Sequence, residues 1–423
     1  MRTNLFLILS GIAVVASAFS AARAEEDASY GGSLWTRDHL TGDWSGTRDT
    51  LADHGFKFDL EWTQFYYGLV DGTPDDDLTD GGRIDAFLHF DGQKAGLWPG
   101  LFATVHGEFR YGDVTVQGGS LTPVNTALLS PRNDGDVFAF TNVTVTQAFS
   151  ESMLLTVGKF NTLDLYQKEF LGGRGVEGFM NLNLVAPPIA ARTVPISTLG
   201  AIFSILDKGR PLFNIGVLDA RSPTTSDGFD GLSSDEITIT ADYSFYTKFG
   251  GLDGTHNISA TWSSIDAFSL DASDFIRPPS APIAVPTRKD DSWQISYLYE
   301  QYLCQYSDNP KNGWGVFALV GVSDGNPNPI EWSAAAGFSA KGIGDWRPND
   351  RAGIGFFYTG LGGDVRGTLS PFVPVSDEYG AEIFYDCAVT PWLRLAGDVQ
   401  VINPAVSRNE TAVYAGLRGR IIF

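Results

Sequence analysis

Cysteine is close to absent. Cys304 and Cys387 are the two in 423 residues, which excludes a disulfide-stapled scaffold, and their wide separation fits no metal-ligand spacing. Histidine is nearly as sparse: the five, at positions 39, 54, 89, 106 and 256, form no tight metal-binding spacing. There is no Gly-x-Ser-x-Gly elbow, no His-Glu-x-x-His and no phosphate loop. The sequence therefore marks out no catalytic residue, no metal ligand and no cofactor site. Lysine and arginine total 29 against 50 aspartates and glutamates. That balance argues against nucleic acid, which demands phosphate-neutralising cations. After the first two dozen residues, no apolar run approaches the roughly 18 residues of a spanning helix. Long amphipathic helical patterns are few as well.

The first 24 residues form a separate object. Arg2 precedes an apolar run from Leu5 to Phe19, and Ala22-Arg23-Ala24 stands before Glu25. This is the pattern of a cleaved secretory signal peptide. Its removal takes Arg2 and Arg23, leaving 27 basic against 50 acidic residues, a net charge of −23.

What is plentiful is glycine (48) and aromatic residues (Phe 29, Tyr 15, Trp 10). Runs of about ten residues with period-two alternation, bounded by Gly, Asp, Asn and Pro, recur from end to end. FKFDLEWTQFYYG (56–68), GRIDAFLHFD (82–91) and LFATVHGEFRYG (101–112) are clear examples. With weaker candidates at 137–148, 195–205, 212–220 and 332–342, sixteen strands are expected. Ile84, Ala86, Leu88 and Phe90 share one face; Arg83, Asp85, Phe87 and His89 share the other. A β-sandwich and a membrane barrel both alternate in this way.

Strand length and connection length separate the two. Membrane strands need roughly 9–11 residues, whereas globular strands centre near 5–6. Connections alternate between short turns and longer loops, as in outer-membrane barrels; 325–331 and 343–350 are the pair that breaks the contrast. Aromatics near strand ends (Trp62, Phe65, Tyr66, Tyr67, Phe356, Phe357, Tyr358, Trp392) suit interfacial girdles. The chain stops in mid-strand on Phe423, with Val413, Ala415, Leu417, Gly419, Ile421 and Phe423 on one face and Tyr414, Gly416, Arg418, Arg420 and Ile422 on the other. An even strand count closes this last strand on the first and places Phe423 at the lipid interface. The expected fold is all-β: a transmembrane antiparallel β-barrel of 16 strands over 56–423, preceded by a periplasmic segment, 25–55. Its site is the outer membrane of a Gram-negative bacterium, in contact with lipid.

The stretch LTGDWSGTRDTLADHGFKFDL resembles the N-terminal pattern of the carbohydrate-selective porin family, the OprB type. The matching positions are Leu40, Gly42, Asp43, Trp44, Gly46 and Arg48, then Leu51 and Gly55. VGKFNTLDLYQ (157–167) and the closing GLRGRIIF are similar to that family too. The resemblance implies a passive sugar channel with an inward-folded constriction loop. It also implies a terminal aromatic of the kind read by the barrel-assembly machinery. Independently, Asp43 or Thr41 can cap a short helix, with Trp44, Arg48 and Leu51 at i, i+4 and i+7 and Gly55 at its end. That helix is expected to pack at the periplasmic mouth.

The longest connection, 161–193, is the expected constriction, with an extracellular lid as the alternative. Asn161, Asp164, Lys168, Glu169, Arg174 and Glu177 lie on it, facing Arg83, Asp85, Phe87, His89, Glu108 and Arg110 of strands two and three. Mixed charge supplies donors and acceptors for sugar hydroxyls, and aromatic rings suit sugar C–H faces. His89 and His106 are candidates to meet across that wall. Rival readings are a general or cation-preferring porin, favoured by the acidity, and an adhesin or structural barrel with a plugged lumen. A secreted β-rich glycosidase would need a carboxylate pair about 5–10 Å apart, which no stretch singles out. DGTPDDDLTD (71–80) is acidic but lacks the spacing of a calcium hand. No bridge between Cys304 and Cys387 is expected, because they fall four strands apart. Monomer and homotrimer both remain open.

Overall fold

A computed structural model describes residues 30–423 except 74–76, 113–118, 132–134, 167, 222–234, 278–283 and 345. The 1–24 leader lies outside the described residues, as does the middle of the acidic 71–80 stretch. Sixteen antiparallel strands, each hydrogen-bonded to its neighbours in sequence, close into one barrel. They are β1 (Phe56–Asp71), β2 (Asp77–Asp91), β3 (Leu101–Gly112), β4 (Val137–Ser150), β5 (Met153–Asn161), β6 (Ser197–Asp207), β7 (Arg210–Asp219) and β8 (Ile237–Phe249). The circuit continues through β9 (Leu252–Ser263), β10 (Ser292–Gln305), β11 (Gly313–Ser323), β12 (Ile330–Ile343), β13 (Arg347–Leu361), β14 (Glu378–Thr390), β15 (Leu393–Asn403) and β16 (Ala412–Ile422). β16 pairs with β1, from Glu61 opposite Ile422 to Asp71 opposite Val413.

Because successive side chains point to opposite faces, each strand sorts its residues between lumen and exterior. In β16 Tyr414 is 0% exposed and Leu417 65%. The exterior is a band of large apolar side chains, including Trp62, Tyr66, Val157, Val320 and Phe356. This is the outward-apolar arrangement of a membrane barrel. The girdle expectation holds for part of its set. Phe65, Tyr67 and Phe357 are buried instead, because they sit one residue out of phase with Trp62, Tyr66 and Phe356.

One rim carries the short connections, among them 151–152, 208–209, 250–251, 344–346 and 391–392. At the opposite, long-loop rim β3, β5, β7, β9 and β13 end and β4, β6, β8, β10 and β14 begin, with far more residues between them in sequence. The expected exception disappears. β12 runs to Ile343 and β13 starts at Arg347, so that turn is shorter than the connection from β11 to β12.

Two long-rim connections fold into the lumen. In 162–196, Phe170, Phe179, Met180, Leu184 and Ile189 are buried. They seat against glycines on the inner faces of β11 and β13. A Cβ added at Gly315 would lie 2.6 Å from Phe170, one at Gly353 2.9 Å from Phe179, and one at Gly355 2.7 Å from Leu184. Only a residue without a side chain permits so close an approach. The second connection brings Val124, Ala127 and Leu128 inward, tied to the first by Thr126 N to Met180 O (2.8 Å) and Leu182 N to Pro123 O (3.0 Å).

Three wall glutamates hold these loops by their backbone amides. Glu300 on β10 accepts from the N–H groups of Glu169, Phe170 and Leu171 at 3.1, 2.7 and 3.2 Å. Glu382 on β14 accepts from Met180 and Asn181 at 2.5 and 2.9 Å. Glu378 accepts from Leu121 and Thr122 and from the Ser120 and Thr122 hydroxyls. Their carboxyl oxygens thereby satisfy buried loop amides that water cannot reach.

At the short-turn rim α1 (Thr47–Asp53) starts later than the sequence suggests, after Trp44, Ser45 and Gly46 in the left-handed region. Asp43 still accepts from Asp49 N at 3.2 Å. The expected apolar face is absent: Trp44 and Leu51 are exposed, and the buried helix residue is Arg48. Its guanidinium donates to Phe423 O (3.0 Å), Phe58 O (2.6 Å) and Asp59 Oδ1 (3.1 Å) and lies over the Tyr30 ring. Leu40 N donates to Ile422 O at 2.8 Å. The segment thus clasps the β1–β16 seam. Cys304 and Cys387 are free thiols.

Candidate functional site

Among the described residues, the in-folded loops border two cavities in the lumen. The one toward the short-turn rim, about 520 Å³, is lined by Asp38, Asp59, Glu61, Phe87, His89, Asn142, Asp164, Arg174, Glu177 and Arg420, among others. The one toward the long-loop rim, about 530 Å³, is lined by Thr162, Leu163, Tyr166, Arg192, Arg221, Glu236, Asp266 and Arg288, among others. Thr162 and Leu163 line the outer cavity and the adjacent Asp164 the inner one, so the narrow point lies beside them.

On one side of that point stands the wall of β2 and β3. Register places Asp85 opposite Glu108 and Phe87 opposite His106. The Arg83 guanidinium donates to Asp85 (2.8 Å from Nε), to Glu108 and to Ala127 O (2.6 Å). His106 Nε2 lies 2.7 Å from Asp85. Arg174 reaches across from the loop to Asp85 (3.2 Å) and Asp164 (3.4 Å), and its guanidinium lies 5.1 Å from the Phe87 ring centre. Burial works against its charge, but Asp85 and Asp164 raise its pKa above the ordinary arginine value.

On the other side Glu177 pairs with Arg351 and Arg420, and Arg420 also bonds Glu61 at 2.8 Å. Burial would push the Glu177 carboxyl up. The two guanidiniums overcome it and hold the carboxyl well below the usual carboxylate range. Asp386, between Arg394 (2.9 Å) and Arg418 (3.4 Å), extends the belt, and Arg418 donates to Gly175 O and Gly178 O. The narrow point is thus ringed by carboxylates and guanidiniums, with the Phe87 and His89 rings beside it.

The structure brings together Arg83, Asp85, Phe87, Glu108, Asp164 and Arg174, with Asn161 donating to Glu108 at 3.2 Å. Glu177 belongs to the opposite half of the belt. Arg110 is buried in the same wall. His89 lines the inner cavity, but Phe87 stacks on His106 (4.0 Å between centroids), and His89 bonds Thr104 (3.3 Å) instead. Lys168 and Glu169 are not at the belt: Glu169 pairs with Lys341 at 2.6 Å and accepts from Tyr302 on the far wall. Sequence reasoning missed Glu61, Arg351, Asp386 and the three amide-holding glutamates. It had Arg418 and Arg420 on the inward face of the last strand without assigning them a role.

Among the described residues, Asp85, His106 and Glu108 are the one grouping with metal-like proximity. Two guanidiniums already occupy those carboxylates, so the donor set fits a charge network better than a metal centre.

Comparison with known proteins bears on this geometry. The sequence profile described as "Carbohydrate-selective porin, OprB family" matches residues 75–423. A protein of Acinetobacter baylyi described as "Putative porin QuiX" is 24% identical over 437 residues, covering 92% of this chain and 94% of that one. Porin B of Pseudomonas aeruginosa is 23% identical over 431 residues, covering 91% of each. Among solved structures, the high-pH form of Pseudomonas putida OprB superposes with a TM-score of 0.80 at 19% identity, covering 93% of this chain and 100% of that one. The low-pH form gives 0.57 at 18% identity, covering 92% and 99%.

Proposed function

The chain belongs to the OprB family of carbohydrate-selective porins, and from that premise we propose that the belt around residues 162–177 is the filter through which sugars diffuse passively. Family and fold describe a channel and point to a Gram-negative outer membrane. The short-turn rim, where Phe423 and the N-terminal segment meet, is the periplasmic end. The leader 1–24 directs export, and the terminal strand is the part presented to the assembly machinery. A sugar enters at the long-loop cavity, passes the belt and leaves through the inner cavity.

The observation that carries this reading is the belt itself, with fixed donors and acceptors of both signs next to Phe87 and His89. Sugar hydroxyls both donate and accept, so such a surface can exchange their water partners one by one. The paired charges leave little net field for a simple ion. Liposome swelling tests it: glucose should permeate faster than a zwitterionic amino acid of similar size. Equal, size-ordered rates would mean a general porin. One observation favours a cation preference beside sugar passage. Five carboxylates (Asp38, Asp59, Glu61, Asp164, Glu177) line the inner cavity against two arginines.

A further inference from the structure

The two cavities are lined with opposite charge, and the outer one contains a cation that has no ion-pair partner among the described residues. Three arginines line it: Arg192, Arg221 and Arg288. Arg221 is spoken for by Glu236 at 2.8 Å and Arg288 by Asp266 at 2.7 Å. Arg192 closes the short 3-10 turn Pro188–Arg192, inside the loop that forms the filter. Its Nε is buried without a hydrogen-bond partner, and among the described residues no carboxylate lies within ion-pair distance of it. Burial lowers its pKa from the ordinary arginine value, while Asp324 and Arg288 act on it through space with opposite sign. The Asp324 carboxylate is already engaged by the Trp293 and Asn328 amides.

We propose that Arg192 makes the outer cavity a docking site for the carboxylate of an anionic polyol, such as a hexuronate, presented from the long-loop side. The guanidinium offers a planar fork of donors that matches a carboxylate. Leu163, Pro187 and Val194 supply an apolar wall for a ring, and about 530 Å³ admits one sugar unit. In the acidic inner cavity the two lining arginines, Arg174 and Arg420, are already paired with carboxylates, so the ligand is retained at the mouth and blocks current from that side. The inference rests on the sugar-porin reading, yet its failure is distinguishable from failure of that reading.

Single channels inserted in one orientation would receive glucuronate, then acetate, on each face at fixed salt, with glucose run in parallel. Expected is a saturable glucuronate block from the long-loop face alone. In Arg192→Gln the concentration for half block should rise about tenfold, the effect of losing one charged hydrogen-bonding partner. Glucose response in that variant should stay at the wild-type value. Equal glucuronate block from both faces, an unchanged Arg192→Gln channel, or acetate blocking as well as glucuronate would each overturn the proposal. Loss of the glucose response in wild type would instead count against the sugar-porin reading.

Discussion

The guanidinium of Arg48 joins three stretches of chain far apart in sequence: α1, the start of β1 and the terminal carbonyl of Phe423. It is 2% exposed, so removing it leaves buried acceptors without partners. Arg48→Ala should lower barrel stability by about 3 kcal/mol or more, given about 1.5–3 kcal/mol for each hydrogen bond to a charged group. The temperature at which the folded band is lost on a semi-native gel reads this directly, and Arg48→Lys should recover only part of it. Glu177 makes a prediction of the other kind. Its folded pKa is depressed from 4.5. Its stabilisation of the belt is therefore complete above the unfolded value and lost only as pH falls toward the folded one. The conductance ratio of Glu177→Gln to wild type should stay constant between about pH 8 and 5, because Glu177 is ionised throughout that window. A ratio drifting toward one over it would contradict the pairing with Arg351 and Arg420.

At the scale of elements, the strands were legible and the loops' partners were not. Period-two alternation and turn residues gave all sixteen strands. They also put Arg83, Asp85, Glu108, Arg418 and Arg420 on the inward face, because a wall between lipid and water imposes that period on every strand. Phe65, Tyr67 and Phe357 were misread because an aromatic near a strand end suits either face, and only parity decides. Glu300, Glu378 and Glu382 carried no signal at all: what makes them special is the backbone amide they meet, some 130 to 257 residues away. The same holds for residues 119–131, whose inward course is set by Glu378 and Met180. Two substitutions test the seating. Glu300→Ala strips three loop N–H groups of their acceptor, each worth about 1–3 kcal/mol when left buried and unpaired. Gly355→Leu places a side chain where Leu184 now packs. Both should free residues 162–196 from the wall, raising open-channel conductance and weakening sugar discrimination. Unchanged conductance in a folded Gly355→Leu barrel would contradict the packing.

For the whole molecule, the in-folded loops narrow a wide barrel between two cavities whose linings carry opposite charge. Sixteen strands alone would enclose an open aqueous channel. The inner vestibule is acid-rich, so a salt gradient should give a reversal potential of the sign expected for mild cation preference. Neutralising Asp59 and Glu61 together should reduce it. The central claim, that the belt beside residues 162–177 engages sugars as they pass, is tested most directly by single-channel current with glucose and then disaccharides added stepwise at fixed salt. The account predicts saturable block by at least one sugar, with half-block moved to higher concentration in Arg174→Gln. Current that falls only in proportion to bulk viscosity, identically in both channels, would contradict it.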